Sequence, residues 1–261
     1  MTTQVQQVQR KESLALAIIL SLGLLVYTTS DAQLAIWLAV PMFVIPLLGS
    51  LWVLKLPFPP DPKRLELYAL LIQPVLLYSG TAYFLRQASS PLLPVVGFFG
   101  MIVFYLLFIS LSALELYRRL PNHVGRIILN VFSLVTGYIY YSYLFQLDVH
   151  LALGVGIAFI VSFLLFFQSI FWWSSAHISY SVLYACLAAF LLSMLFFCLF
   201  FWPLGYLVTG FVMLIGQYFL TGIIQQYFKK NLTRAVVIEH AVVSLGMLAI
   251  ILLQVRWLPS L

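Results

Sequence analysis

Two kinds of side chain in this sequence could do chemistry inside an otherwise apolar chain. The first is ionisable. Glu239 and His240 sit side by side in RAVVIEHAVVSLGMLAIILLQV, five and six residues after Arg234. Glu115 precedes Arg118 and Arg119 by three and four residues, a spacing that lets all three share one helical face. Ionisable groups in apolar runs are functional candidates by default. Glu115, Arg118, Arg119, Arg234, Glu239 and His240 therefore form a candidate cluster at one membrane interface, where it could gate or bind something. The competing reading is interfacial anchoring, since Glu239 lies only about 7 Å along a helix from Arg234 and long basic side chains snorkel to water.

The second kind is neutral. Gln73, beside Pro74, Gln168 and Gln217 fall within apolar runs and carry both donors and acceptors. They could line an intramembrane polar pocket for a headgroup or solute, or they could bond across helices as packing contacts. Tyr138, Tyr140, Tyr141 and Tyr143 crowd one run without forming a single stripe, as an aromatic belt or as a stacking site for an amphiphile. Gly154 and Ala158 form a small-xxx-small pair suited to close helix contact, and Gly97 and Gly100 do the same at another spacing.

Other chemistry has no foothold. No HExxH, Cys–His spacing, P-loop, G-x-S-x-G or GxGxxG is present, so neither a metal nor a cofactor is expected and no catalytic residue is assigned. Cys186 and Cys198 are twelve residues apart, about 18 Å along one helix, too far to pair within it. No lysine lies mid-span, which excludes a retinal Schiff base, and no span centre carries a charge, which disfavours a proton pump or voltage sensor.

The elements that must position these residues are membrane helices. The chain is 64% hydrophobic and 8% charged, with mean hydropathy +1.08. A soluble domain carries about 25% charged residues. Crossing about 30 Å of hydrocarbon takes about 20 apolar residues. Nine runs qualify: 14–29, 34–54, 65–84, 92–117, 127–146, 151–173, 182–201, 204–228 and 235–255. The breakers between them include KLPFPPDPKR, SSPLLP, RRLPNHVG and Trp202-Pro203. The expected fold is all-α, a polytopic bundle of nine helices forming a single membrane domain over 1–261, with short loops and no water-soluble domain.

Charge orients the bundle. With the N-terminus in the cytoplasm, Arg10, Lys11, Lys55, Lys63, Arg64, Arg118, Arg119, Arg126, Lys229, Lys230 and Arg234 fall inside and only Arg86 and Arg256 outside. That partition predicts an N-in, C-out protein of the plasma (inner) membrane. The net charge of +6 is spread through short loop clusters, as in topology determinants and unlike a nucleic-acid surface. Arg10-Lys11, the following apolar run and Ser30-Asp31-Ala32 resemble a signal peptide, but a second span follows almost at once, so an uncleaved first helix is expected.

From Phe98 onward the sequence resembles an uncharacterised family of bacterial polytopic membrane proteins, a domain of unknown function found mainly in small-genome, uncultivated bacteria. The residues that carry the resemblance are the Phe-Gln of FLLFFQSIFW, the Phe-Trp-Pro break of FFWPLG, and the basic loop of YFKKNLTRAVVIEH leading to a glutamate. The resemblance implies a multi-span membrane protein and supplies no activity. It places Gln168, Trp202, Pro203 and Glu239 first among positions to mutate.

Three functions fit these residues. One is a non-enzymatic scaffold or subunit of an envelope-associated complex, with other membrane proteins as partners. Another is a small carrier or flippase for an apolar or amphipathic, lipid-like solute, using the glutamines and tyrosines. The last is an intramembrane transferase at the interface, which needs Glu115 and Glu239 in one site.

Overall fold

A backbone placed in hydrocarbon must satisfy its own N–H and C=O groups, and long apolar runs do so by coiling into helices. The computed structural model describes residues 2–31, 37–38, 40–54, 69, 71–86, 92–116, 123–147, 150–173, 178–202 and 204–254. Among them every regular element is helical. In chain order these are α1 (Thr2–Thr29), α2 (Pro41–Leu54), α3 (Ile72–Arg86), α4 (Leu92–Leu116), α5 (His123–Gln146), α6 (Leu151–Trp173), α7 (Ile178–Phe200), α8 (Tyr206–Phe228) and α9 (Arg234–Gln254).

Six of the described helices are long and apolar enough to cross a membrane: those covering Lys11–Thr29, Ile127–Gln146, Leu151–Ile170, Ile178–Phe200, Tyr206–Phe228 and Arg234–Leu253. Two others are described over shorter stretches. The described stretches of α2 and α3 hold 14 and 15 residues, about 21–23 Å of helix, and Trp37, Leu38 and Ala69 just before them are helical as well. Gln73 and Pro74 accordingly stand in the first turn of α3, where the sequence places them mid-span. A proline is tolerated there because the first turn's N–H groups have no helical partner. At the other extreme, α1 begins at Thr2 and carries its polar start TTQVQQVQRKE as continuous helix.

The chain forms two compact units, Met1–Leu129 and Asn130–Leu261. In the first, α1 packs along α4 and α3, and α2 packs on α3. Leu16, Ala17, Leu20 and Leu24 turn α1's buried face to the core. Hydroxyls tie the helices through backbone carbonyls: Tyr78 donates to Leu20 O (2.8 Å) and Tyr105 to Pro74 O (3.2 Å). Gly97 admits the Leu85 side chain, whereas at Gly100 no described atom lies within 4 Å of the place a Cβ would take.

In the second unit α6 packs most extensively on α7, through small residues. Gly154 and Ala158 are buried, as their spacing predicts, and Ala185, Ala188 and Ala189 are buried on α7. Such residues let backbones approach where lipid supplies no hydrophobic drive between helices. Tyr141, Phe166, Phe196 and Met213 fill the centre of this core.

Candidate functional site

Several polar residues inside the second unit fall on three facing stripes. On α8 they are Gln217, Thr221 and Gln225, spaced four residues apart and so on one face. On α6 they are Ser162 and Ser169, and on α5 Asn130 and Ser133. Ser133, Ser162, Ser169, Gln217 and Thr221 are all buried. Each stripe is a polar line on an otherwise apolar helix, and each finds its partners on the other two.

The bonds form a ladder. Ser169 Oγ donates to Asn130 Oδ1 at 3.4 Å, and Gln225 Nε2 donates to Ser169 Oγ at 3.3 Å. Two turns deeper on α8, Gln217 Nε2 donates to the backbone carbonyl of Ser133 at 3.3 Å. The Gln217 amide oxygen lies directly over Gly137, where a Cβ would collide with it. Further along, Tyr141 and Ser162 share a hydroxyl–hydroxyl bond of 2.9 Å, and Ser162 Oγ also bonds Ala158 O. Between α6 and α8 the ladder's own Ser169, Thr221 and Gln225 line a narrow gap with Phe166, Ile170, Ile224 and Phe228, and it holds no room for a water molecule.

One amide stands apart. Gln168 is fully buried, and among the described residues neither its Oε1 nor its Nε2 has a hydrogen-bond partner. The neighbouring Gln168 and Ser169 side chains diverge by about 100° around α6, so one joins the ladder and the other does not. Ser181 Oγ, near the start of α7, is also fully buried without a partner among the described residues. Gln73, in the first unit, is fully buried as well.

The ionisable candidates are arranged differently. His240 turns toward α8, its ring parallel to that of Tyr218 (centroids 5.9 Å apart, planes at 9°) and seated against Gly222. Glu239, the next residue back, is exposed, as is Arg234. Within its unit Glu239 makes no ion pair with a described residue. An i, i+5 pair lies about 140° apart around a helix, outside the i, i+3 and i, i+4 spacings that bring side chains together. Glu115 falls in the last turn of α4, where side chains are not described, and Arg118, Arg119 and Pro203 lie outside the described residues. The tyrosines divide: Tyr140 and Tyr141 are buried, while Tyr138 packs at a tilt of 41° against Phe211, with 4.5 Å between centroids.

Of the residues in the ladder, sequence reasoning singles out Gln217 and Tyr141. The signal for the Gln217 helix was available in Gln217-x-x-x-Thr221-x-x-x-Gln225, a polar line of period four in apolar sequence. Ser133, Ser169 and Asn130 carry no comparable signal, because single serines and asparagines are common on membrane helices. Among the described residues no three His, Cys, Asp or Glu side chains gather as a metal site.

A family model described as a protein of unknown function (DUF5656) matches residues 19–254. The match reaches well N-terminal of Phe98 and takes in helices of both units. No curated protein and no solved structure matches the chain.

Proposed function

The chain belongs to this family of unknown function, DUF5656, and we propose that it is a non-enzymatic membrane component: a scaffold, or a subunit of an envelope-associated complex in a bacterial plasma membrane. One observation carries the reading. The Asn130, Ser169, Gln217 and Gln225 side chains bond helix to helix, and the narrow gap that Ser169, Thr221 and Gln225 help to line has no room for a water molecule. A transport path needs polar groups facing an open lumen, and catalysis needs acid, base or metal groups converging on one point. A bundle whose polar ladder is taken up between its own helices instead offers its outer surface. The N-in, C-out orientation belongs to the same proposal and rests on the eleven-to-two partition of Lys and Arg.

The test is size in mild detergent. The native protein is expected to migrate in an assembly larger than its 29.7 kDa chain and to co-purify with other membrane proteins at fixed stoichiometry. A monodisperse monomer from native membranes counts against the reading.

A second reading, a small carrier or flippase for an apolar or amphipathic solute, draws on Gln168. A fully buried amide bonded to no described group is costly in hydrocarbon and would be explained by a ligand that bonds it. Gln168→Leu separates the two. A structural orphan replaced by an apolar side chain leaves function intact and stability equal or higher. A ligand contact so replaced abolishes solute binding.

A further inference from the structure

The last helix is unlike the other long apolar helices. Only 6% of its membrane window is buried, against 39–44% for the other five. One narrow edge, centred on His240 and Ser244, lies against its unit. The opposite side is open, with Ile238, Val242 and Leu253 at 61%, 62% and 85% exposure. Lipid alone could cover apolar residues, so exposure by itself decides nothing. Two features do.

First, the open side carries a seam. Glu239, Val243, Gly246, Ile250 and Leu253 alternate at spacings of four and three, the repeat by which one helix packs along another. All five are exposed. Gly246 sits mid-seam with no described atom within 4 Å of its would-be Cβ, a dent that admits a neighbouring backbone or a large side chain. Second, the seam begins with a carboxylate that no described residue of its unit pairs with. Val243 and Ile238 flank it, about 7 Å along the helix from Arg234. A charge there is stabilised by an opposite charge brought by whatever docks. A second copy in parallel would set Glu239 against its own counterpart, a like-charge contact that disfavours self-association.

We propose that α9 is the docking helix of this protein and that its partner is a transmembrane helix of a different membrane protein, carrying a lysine or arginine at the level of Glu239. This rests on the scaffold reading above and names the kind of partner it requires.

The test is site-specific photo-crosslinking of the full-length protein in its native membrane, from Val243 and Ile250 on the seam and from Leu245 off it. Seam positions are expected to give one adduct with a distinct polypeptide, at least tenfold stronger than from Leu245. The adduct should map to a transmembrane segment holding a Lys or Arg. Glu239→Lys should abolish it, Glu239→Gln should weaken it, and changing the partner's basic residue to Glu should restore it in the Glu239→Lys background. Adducts with a second copy, with this chain's own first unit, or with lipid only would overturn the proposal, as would an adduct indifferent to Glu239→Lys. A large native assembly without seam adducts sinks this inference alone. A monomeric native protein sinks the scaffold reading with it.

Discussion

At the scale of single residues, glycines decide how closely α5, α8 and α9 approach. Gly137 gives the Gln217 amide oxygen its place, and Gly222 gives the His240 ring its place. Gly137→Ala is expected to cost about 1–3 kcal/mol by forcing the amide off its bond to Ser133 O. Gln217→Leu alone should cost only about 1 kcal/mol, because one interhelical bond in a membrane is modest. The Gly137→Ala/Gln217→Ala pair should then be strongly non-additive, since truncating the glutamine empties the space the methyl needs. Unfolding in a calibrated denaturing detergent measures all of these, and additivity within about 0.3 kcal/mol would show that the two sites do not touch. The amide at 217 is visible in the sequence as a polar residue in an apolar run. What it bonds is not, because Ser133 is 84 residues away and offers only a backbone carbonyl.

At the scale of elements, Arg86 shows how a helix end is held. Its guanidinium bonds Tyr27 O (3.1 Å), Ser30 Oγ (3.3 Å) and Ser30 O (3.4 Å), and lies 5.1 Å from the Tyr27 ring centroid. These carbonyls are the ones a helix leaves unpaired at its C-terminus, where the macrodipole also favours a cation. A count of loop charges reads Arg86 as one of two basic residues on the wrong side; its contacts give it a structural reason to be there. Arg86→Met is expected to destabilise by about 1.5–3 kcal/mol, and Arg86→Lys to recover only part of that, because a point charge cannot fork between two carbonyls. Equal stability of the Lys variant and the native protein would show that charge alone suffices. Helix existence was legible throughout, since long apolar runs have no alternative in hydrocarbon. Helix extent was less so: α3 starts at Ile72, and α1 runs back to Thr2 through residues that are polar but good helix formers.

At the scale of the whole molecule, the division into Met1–Leu129 and Asn130–Leu261 carries its own prediction. A chain starting at His123, which keeps α5 whole, should insert and retain the α5–α6–α8 ladder, read as protease resistance equal to that of the same region in the full protein. Loss of resistance would mean that the first unit is needed to fold the second. Orientation is checked by single cysteines in a Cys186/Cys198-free background: Lys230→Cys should react with an impermeant maleimide only from the cytoplasmic side, and labelling from outside would invert the topology. Composition and the order of apolar runs determined by themselves that this protein is helical and membrane-like, because hydrocarbon length and backbone hydrogen bonding leave the chain few choices. Only the tertiary structure decided which polar groups meet. It split the adjacent Glu239 and His240 between an open face and a helix seam, joined Ser169 rather than Gln168 to the ladder, and left α9 almost uncovered. Those outcomes depend on the rotation of each helix about its axis, which packing against neighbours sets and local sequence does not.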